Sequence, residues 1–178
     1  MRWLVLLGIT GLLAGLYIAF FPLHLASVIL GIRHRVPMID TQVLAQRLQK
    51  EPGDVLIFDV RSEAEYRVSH LPGAIRISEG LPVEDLLANH PQILGGKTVV
   101  FYCSVGERSG EMGARLVQQS EGKAAGMGEI YNLSGGIFAW ANRAFPLENP
   151  TGPVKQVVHP FSKNWGWLLS GQVEKRFD

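Results

Sequence analysis

The chain has 178 residues, which is enough for one ordinary domain with an appendage but too few to favour two full domains. Its net charge of +1 gives no electrostatic basis for binding nucleic acid. A single cysteine excludes an internal disulfide and leaves a structural zinc site without its usual thiolates. We therefore expect a fold that depends on its apolar core, with no metal and no cofactor.

The N-terminal part of the chain is its most apolar stretch, with no Asp, Glu, Lys or Arg from Trp3 to Ile32. Trp3 to Phe21 alone is 19 residues, about 28 Å as a helix, close to the ~30 Å hydrocarbon thickness of a bilayer. Pro22 interrupts this run, and a basic flank closes it at Arg35. We predict a single-pass transmembrane anchor over residues 1–35 that kinks or ends near Pro22 and contacts membrane lipid.

A cleaved signal peptide is the alternative for this segment. Its apolar region would be longer than usual, and no convincing small-x-small cleavage site precedes the basic cluster, so the anchor is favoured. Arg2 stands on one side of the run, whereas Arg33 and Arg35 stand on the other. By the positive-inside rule this charge distribution favours a membrane protein whose C-terminal domain is cytoplasmic.

After Pro37, strand-like and helix-like stretches alternate. The pattern predicts a helix from Thr41 to Lys50 with Thr41 as its cap, and Ser62-Glu63-Ala64-Glu65 is a capping-box sequence that starts another helix. The other predicted elements are strands at Val55–Phe58, Ala74–Ile77, Thr98–Tyr102 and Ile130–Leu133, and helices at Val83–Leu94, Ser109–Gln119 and around Phe138 and Trp140. This alternation predicts an α/β fold with a parallel sheet, whose sites lie at the carboxyl ends of strands.

The only cysteine, Cys103, ends one of these apolar strands and precedes a small turn and a helix. Backbone N–H groups that curl around one sulfur form an anion-binding nest, and the helix dipole adds partial positive charge, so this position favours thiolate chemistry. A buried cysteine that acts only as a small apolar side chain is the alternative. Arg108 either stabilises a bound anion or holds the loop closed, and both interpretations stay open.

Four motifs, in order, resemble the landmarks of the rhodanese domain family. They are Asp59-Val60-Arg61-Ser62-x-x-Glu65-Tyr66, His70-Leu71-Pro72-Gly73-Ala74-Ile75, the Cys103 loop, and Leu133-x-Gly135-Gly136-Ile137-x-Ala139-Trp140. The resemblance covers roughly Met38 to Asn149. We therefore divide the chain into the anchor at 1–35, a rhodanese-like domain at 36–149 and an aromatic-containing tail at 150–178. The resemblance implies a parallel five-stranded sheet flanked by helices, here preceded by a transmembrane helix.

The resemblance also implies a function, that of a sulfurtransferase. Cys103 would accept a sulfane sulfur as a persulfide and pass it to an acceptor thiol or another nucleophile, so the partners would be a sulfur donor and an acceptor. Asp59 and Arg61 would organise the loop through hydrogen bonds, and Glu65 would only cap its helix. The terminal sulfur would be held by the backbone amides of Ser104, Val105, Gly106, Glu107, Arg108 and Ser109.

Loop length distinguishes the reactions that this fold supports. Cys103 through Arg108 is six residues, the length that the resemblance associates with sulfur transfer. The resemblance implies that related phosphatases have one residue more between the cysteine and the arginine. Their arginine would correspond to position 109, where this chain has serine, so phosphatase activity is disfavoured. Glu107 stands by the loop entrance, where a carboxylate repels thiosulfate and disfavours a thiolate. The expected donor is therefore a protein persulfide or a low-molecular-weight persulfide.

A function of another class remains open. The anchor, the acidic Glu107 and the aromatic tail also fit a non-catalytic rhodanese-like module that scaffolds a membrane partner or senses sulfur or redox state. The tail carries Trp165, Trp167, Leu168 and Leu169, and either packs back on the domain or meets the lipid interface, where tryptophan is favoured.

Overall fold

The computed structural model describes Leu23 and residues 33–51, 53–123 and 126–177. Apart from Leu23, the apolar run of the predicted anchor lies outside these residues, so the transmembrane helix stays a prediction. Among the residues that are described, no helix combines the length and the apolar character needed to cross a membrane.

The centre of the structure is a five-stranded sheet in the order β1-β5-β4-β2-β3, in which every pairing is parallel. Its strands are β1 (Met38–Ile39), β2 (Val55–Asp59), β3 (Ile75–Arg76), β4 (Thr98–Tyr102) and β5 (Ile130–Leu133). The central strands are continuous apolar runs because helices cover both faces of the sheet. The α/β class and the five-stranded parallel sheet are thus confirmed, although β3 is shorter than the predicted strand.

Helices lie on both faces of the sheet. They are α1 (Thr41–Lys50), α2 (Glu63–Val68), α3 (Val83–Asn89), α4 (Glu107–Lys123) and α5 (Gly136–Asn142), with a 3-10 turn at Pro91–Gly95. Leu44 of α1 and Trp140 of α5 pack in one core cluster with Val100, on one face. Leu86 of α3 and Met112 of α4 pack in the other.

Two helix boundaries differ from the prediction at their capping residues. The carboxylate of Asp40 accepts the Gln42 amide at 2.7 Å, so Asp40 caps α1 and the assignment of Thr41 as the cap is wrong. The helix predicted over Val83–Leu94 ends at Asn89, because a proline at position 91 cannot continue an α-helix. By contrast, both hydrogen bonds of the predicted capping box at Ser62 are present.

Helix α4 begins at Glu107, two residues earlier than predicted. The connection between Cys103 and this helix is therefore only Ser104–Gly106. Glu107, Arg108 and Ser109 belong to the first helical turn, where backbone N–H groups have no acceptor within the helix. Their amides stand at the positive end of the helix dipole.

The chain beyond α5 packs back on the domain. Its elements are β6 (Leu147–Asn149) paired antiparallel with β7 (Gly152–Val154), β8 (Val157–Val158) paired parallel with β9 (Glu174–Lys175), and a 3-10 turn at Gly166–Leu168. Leu168, Leu169 and Val173 are buried in the same core cluster as α5. The Asn142 side chain fixes this arrangement, because its Nδ2 donates to the Leu168 carbonyl and its Oδ1 accepts the Ser170 amide, each at 2.8 Å.

Candidate active site around Cys103

Cys103 lies at the carboxyl end of β4 with only 1% of its surface exposed. Its Sγ accepts the backbone N–H of Gly106 at 3.1 Å. Gly106 has φ +112°, a conformation that favours glycine, so the turn is built for a residue without a side chain. Gly106 therefore supplies one backbone hydrogen-bond donor to the sulfur at position 103, and the N-terminus of α4 follows directly after it.

The start of α5, which follows β5, holds the Cys103 loop in place through hydrogen bonds. The amides of Ile137 and Phe138 donate to the carbonyls of Cys103 and Ser104 at 2.9 and 3.2 Å. Gly136 has φ +54°, and a Cβ on it would press on these same two carbonyl oxygens. The lack of a side chain at Gly136 is therefore what lets the Cys103 loop approach the start of α5 so closely.

The guanidinium of Arg108 forms hydrogen bonds with Glu65 and with Ser104 of the Cys103 loop. Its Nη1 and Nη2 donate to the two carboxylate oxygens of Glu65 at 3.0 and 2.8 Å, and Nη2 also donates to the Ser104 hydroxyl at 3.1 Å. The Ser104 hydroxyl in turn donates to Glu65 at 3.0 Å. Of the two interpretations of Arg108, this geometry favours the one in which it holds the loop closed.

Glu65 is the residue whose role at the site was underestimated. It caps α2 as predicted, but it also receives the guanidinium of Arg108 in a buried position. Burial alone raises the pKa of a carboxyl, yet the hydrogen bond and charge of Arg108 outweigh it and lower the pKa of Glu65 to about 2. Burial likewise opposes the charge of Arg108, but the bond to Glu65 and the negative charge of a Cys103 thiolate raise its pKa.

Asp59 and Arg61 form a fully buried ion pair under the loop. Arg61 donates from Nε and Nη2 to both carboxylate oxygens of Asp59, at 2.6 to 3.1 Å, and from Nη2 to the Ser69 carbonyl at 2.6 Å. The Tyr102 hydroxyl donates to Asp59 at 2.6 Å, and burial together with the Asp59 charge raises the pKa of Tyr102. Tyr102 immediately precedes Cys103, so this pair supports the loop through the strand.

Glu107 forms an ion pair instead of standing alone at the entrance. Its Oε1 lies 2.7 Å from Nη1 of Arg33 and 3.6 Å from Nε2 of His34. Both partners belong to the basic flank of the predicted anchor. The carboxylate that was expected to repel thiosulfate therefore also joins the N-terminal segment to the helix that follows the Cys103 loop.

Asn132 completes the inner side of the loop and was missed. Its Oδ1 accepts the Ser109 hydroxyl, and its Nδ2 donates to the Gly106 carbonyl, each at 2.7 Å. The Ser109 side chain therefore binds β5, while Val105 is buried. A polar residue inside the otherwise apolar run of β5 was the available sequence signal.

A cavity of about 150 Å³ opens above Cys103. Its described lining consists of Cys103, Ser104, Val105, Glu107, Arg108, Phe161 and Trp165. The prediction noted Trp165 only as a tail aromatic and did not single out Phe161. Residues far apart in the chain meet here because the tail packs back on the domain.

Comparison with known families agrees with this geometry. The family model of the rhodanese-like domain matches residues 40–143, which is more than half of the chain. This chain belongs to the rhodanese-like domain family.

Relatives with known names include sulfurtransferases. A sulfurtransferase of Allochromatium vinosum is 37% identical over 114 residues, which are 64% of this chain and 96% of that protein. A tRNA sulfurtransferase of Desulfurococcus amylolyticus is 32% identical over 93 residues, 52% of this chain but only 16% of that protein. A crystal structure of thiosulfate sulfurtransferase from Pseudomonas aeruginosa has a TM-score of 0.52 at 20% identity, and covers 71% of this chain and 22% of its own. That similarity shows the fold alone.

Proposed function

We propose that this chain is a membrane-anchored sulfurtransferase that carries a sulfane sulfur as a persulfide on Cys103. The observation that carries the proposal is the Cys103 loop, where Sγ accepts the Gly106 amide at 3.1 Å beside the N-terminus of α4. The 37% identity to a sulfurtransferase along 96% of that relative supports the reaction class.

The reaction has two displacement steps at one sulfur. The Cys103 thiolate attacks the outer sulfur of the donor, a new S–S bond forms, and the donor's own bond to that sulfur breaks as its leaving group departs with the electron pair. The thiolate of the acceptor then attacks the outer sulfur and releases Cys103. Amides of the loop and of the first turn of α4 stabilise the outer sulfur between the steps.

The remaining residues of the site act as positioning residues. Arg108 and Glu65 hold the loop closed, and the Asp59–Arg61 pair, which reaches Cys103 through Tyr102, fixes the end of β4. The nucleophile of the second step, a thiol or another group, must come from the acceptor, because Cys103 is the only cysteine of the chain.

The first test is the intact mass of the detergent-solubilised full chain after exposure to thiosulfate and, separately, to glutathione persulfide. We expect glutathione persulfide, in preference to thiosulfate, to add one sulfur atom to the wild type and none to Cys103→Ser. Transfer of that sulfur to an added thiol should restore the original mass. If neither donor adds sulfur to the folded protein, the proposal fails and the non-catalytic module is the better interpretation.

The membrane anchor is part of the proposal and rests on the uncharged run from Trp3 to Ile32. With the rhodanese-like domain on the cytoplasmic side, the basic flank at Arg33 and Arg35 follows the positive-inside rule. Carbonate-washed membranes should retain the wild-type chain and release a Leu12→Arg, Leu13→Arg variant, because two arginines at the bilayer centre oppose insertion. Protease protection in sealed vesicles of known orientation tests the side, and digestion from the non-cytoplasmic face would contradict the assignment.

A further inference from the structure

The cavity above Cys103 has almost entirely apolar walls. The tail contributes two aromatic rings to it, Phe161 and Trp165, which meet edge to face with centroids 6.1 Å apart. From the domain side Val105 and Cys103 contribute to the wall. A cavity of this size, about 150 Å³, accommodates a group similar to a benzene ring.

The aromatic wall is held in place by the fold. Phe161 has φ +63°, which is unusual for a bulky residue and persists only where the surroundings determine it. The Phe161 amide donates to Nδ1 of His159 at 3.1 Å, and the Trp165 amide donates to the Ser162 carbonyl at 3.1 Å. Buried Leu168 anchors the segment to the core. The family match ends at residue 143, so this wall lies beyond the part of the chain that defines the family.

The two charged residues that line the described part of the cavity already form ion pairs with other residues. Both terminal nitrogens of Arg108 donate to Glu65, and its guanidinium lies 4.9 Å from the centre of the Phe161 ring. The other charged residue of the described lining, Glu107, pairs with Arg33. A small dianion such as thiosulfate would lose its water here against a paired arginine and a carboxylate, which is costly.

We infer that the sulfur donor of this enzyme is a persulfide with a compact apolar carrier group, of alkyl or aryl type, and that Phe161 and Trp165 select it. This inference rests on the sulfurtransferase function proposed above. The carrier group occupies the apolar cavity while its sulfur points to Sγ of Cys103.

The chemistry balances without an added oxidant or reductant. For a donor R–S–SH, the Cys103 thiolate attacks the outer sulfur and forms the new S–S bond. The bond between the two donor sulfurs breaks, and the carrier leaves as R–S⁻ with the electron pair. The proton stays on the outer sulfur, and the apolar R group leaves the cavity with its thiolate.

The test compares rates of sulfur loading of the full chain in lipid nanodiscs from benzyl persulfide, glutathione persulfide and thiosulfate. Each rate is divided by the rate of the same donor with N-acetylcysteine, which removes differences in intrinsic reactivity. We expect a preference for benzyl over glutathione persulfide of about tenfold or more, the range in which apolar pockets discriminate. A Phe161→Ser, Trp165→Ser variant should lose most of this preference, because it lacks both rings that contact the apolar carrier group.

Two further variants test the reasoning. Trp167→Ser changes a tail aromatic that is 63% exposed and does not belong to the described lining, so the preference should persist. Trp165→Lys brings a cation to the opening and should raise loading from thiosulfate by about fivefold. An equal preference in the wild type and the double variant, with both proteins loading sulfur, would overturn the inference alone. Absence of loading from all three donors would instead overturn the proposed function.

Discussion

Replacing Glu65 by glutamine tests the ion pair that closes the Cys103 loop. Glutamine keeps the size of the side chain and can still cap α2, but the Arg108 guanidinium, 17% exposed, loses its counter-charge. Breaking a buried pair by removing one partner costs about 3–5 kcal/mol. In the variant, Arg108 still contacts the Phe161 ring and solvent, and it can donate to the amide oxygen of the glutamine. We therefore expect a smaller loss, of about 2–3 kcal/mol in the free energy of unfolding.

The pKa of Glu65 supports the same magnitude. Its lowering from 4.5 to about 2 corresponds to at most about 3 kcal/mol, and solvent screening reduces that figure. Because the folded-state pKa lies below the unfolded value, this stabilisation is present above about pH 4.5. It is lost as the pH falls from there towards about 2.

The assay is denaturant unfolding of the detergent-solubilised full chain, followed by tryptophan fluorescence at neutral pH and at about pH 3. Glu63→Gln is the matched control, because Glu63 lies on the same helix in exposed ion pairs with Arg67 and Arg76, which contribute little to stability. The difference in the free energy of unfolding between the wild type and Glu65→Gln should be smaller at the lower pH. Equal effects of the two substitutions, or a difference independent of pH, would refute the role given to Glu65.

Other substitutions test the surroundings of the loop. Tyr102→Phe removes a donor to a buried carboxylate and should cost about 1–3 kcal/mol in urea unfolding. Gly136→Ala should displace the Cys103 loop, cost about 1–3 kcal/mol and lower sulfur loading by mass, unlike Gly171→Ala, where no neighbour lies within 4 Å. Leu169→Ala, at a buried tail position, should lower stability by about 2–4 kcal/mol in thermal unfolding. Preserved stability or loading in any of these would contradict the packing described.

Local sequence signals predicted the fold well. Apolar runs at Thr98–Tyr102 and Ile130–Leu133 matched β4 and β5 to the residue, because buried parallel strands need continuous apolar character. The capping box at Ser62 could likewise be recognised from four consecutive residues. The bounds of short elements such as β3 were predicted less accurately, because their ends depend on pairing with a neighbouring strand.

The central residue of the candidate site was also accessible from sequence, but its partners were not. Cys103 stands out because strand, turn and helix follow each other locally. The contact of Glu65 with Arg108 joins positions 43 residues apart, and that of Arg33 with Glu107 joins an N-terminal residue to α4. Phe161 reaches the cavity only because the tail is anchored on α5. Such contacts depend on tertiary packing, which no local pattern encodes.

The outer strands of the sheet bear on how the protein behaves in a crowded solution. β1 and β3 are each two residues long, so the sheet has very little unpaired backbone along either border. Long unpaired borders are templates on which other chains add strands and aggregate. We expect this domain to resist such strand addition even at high local concentration.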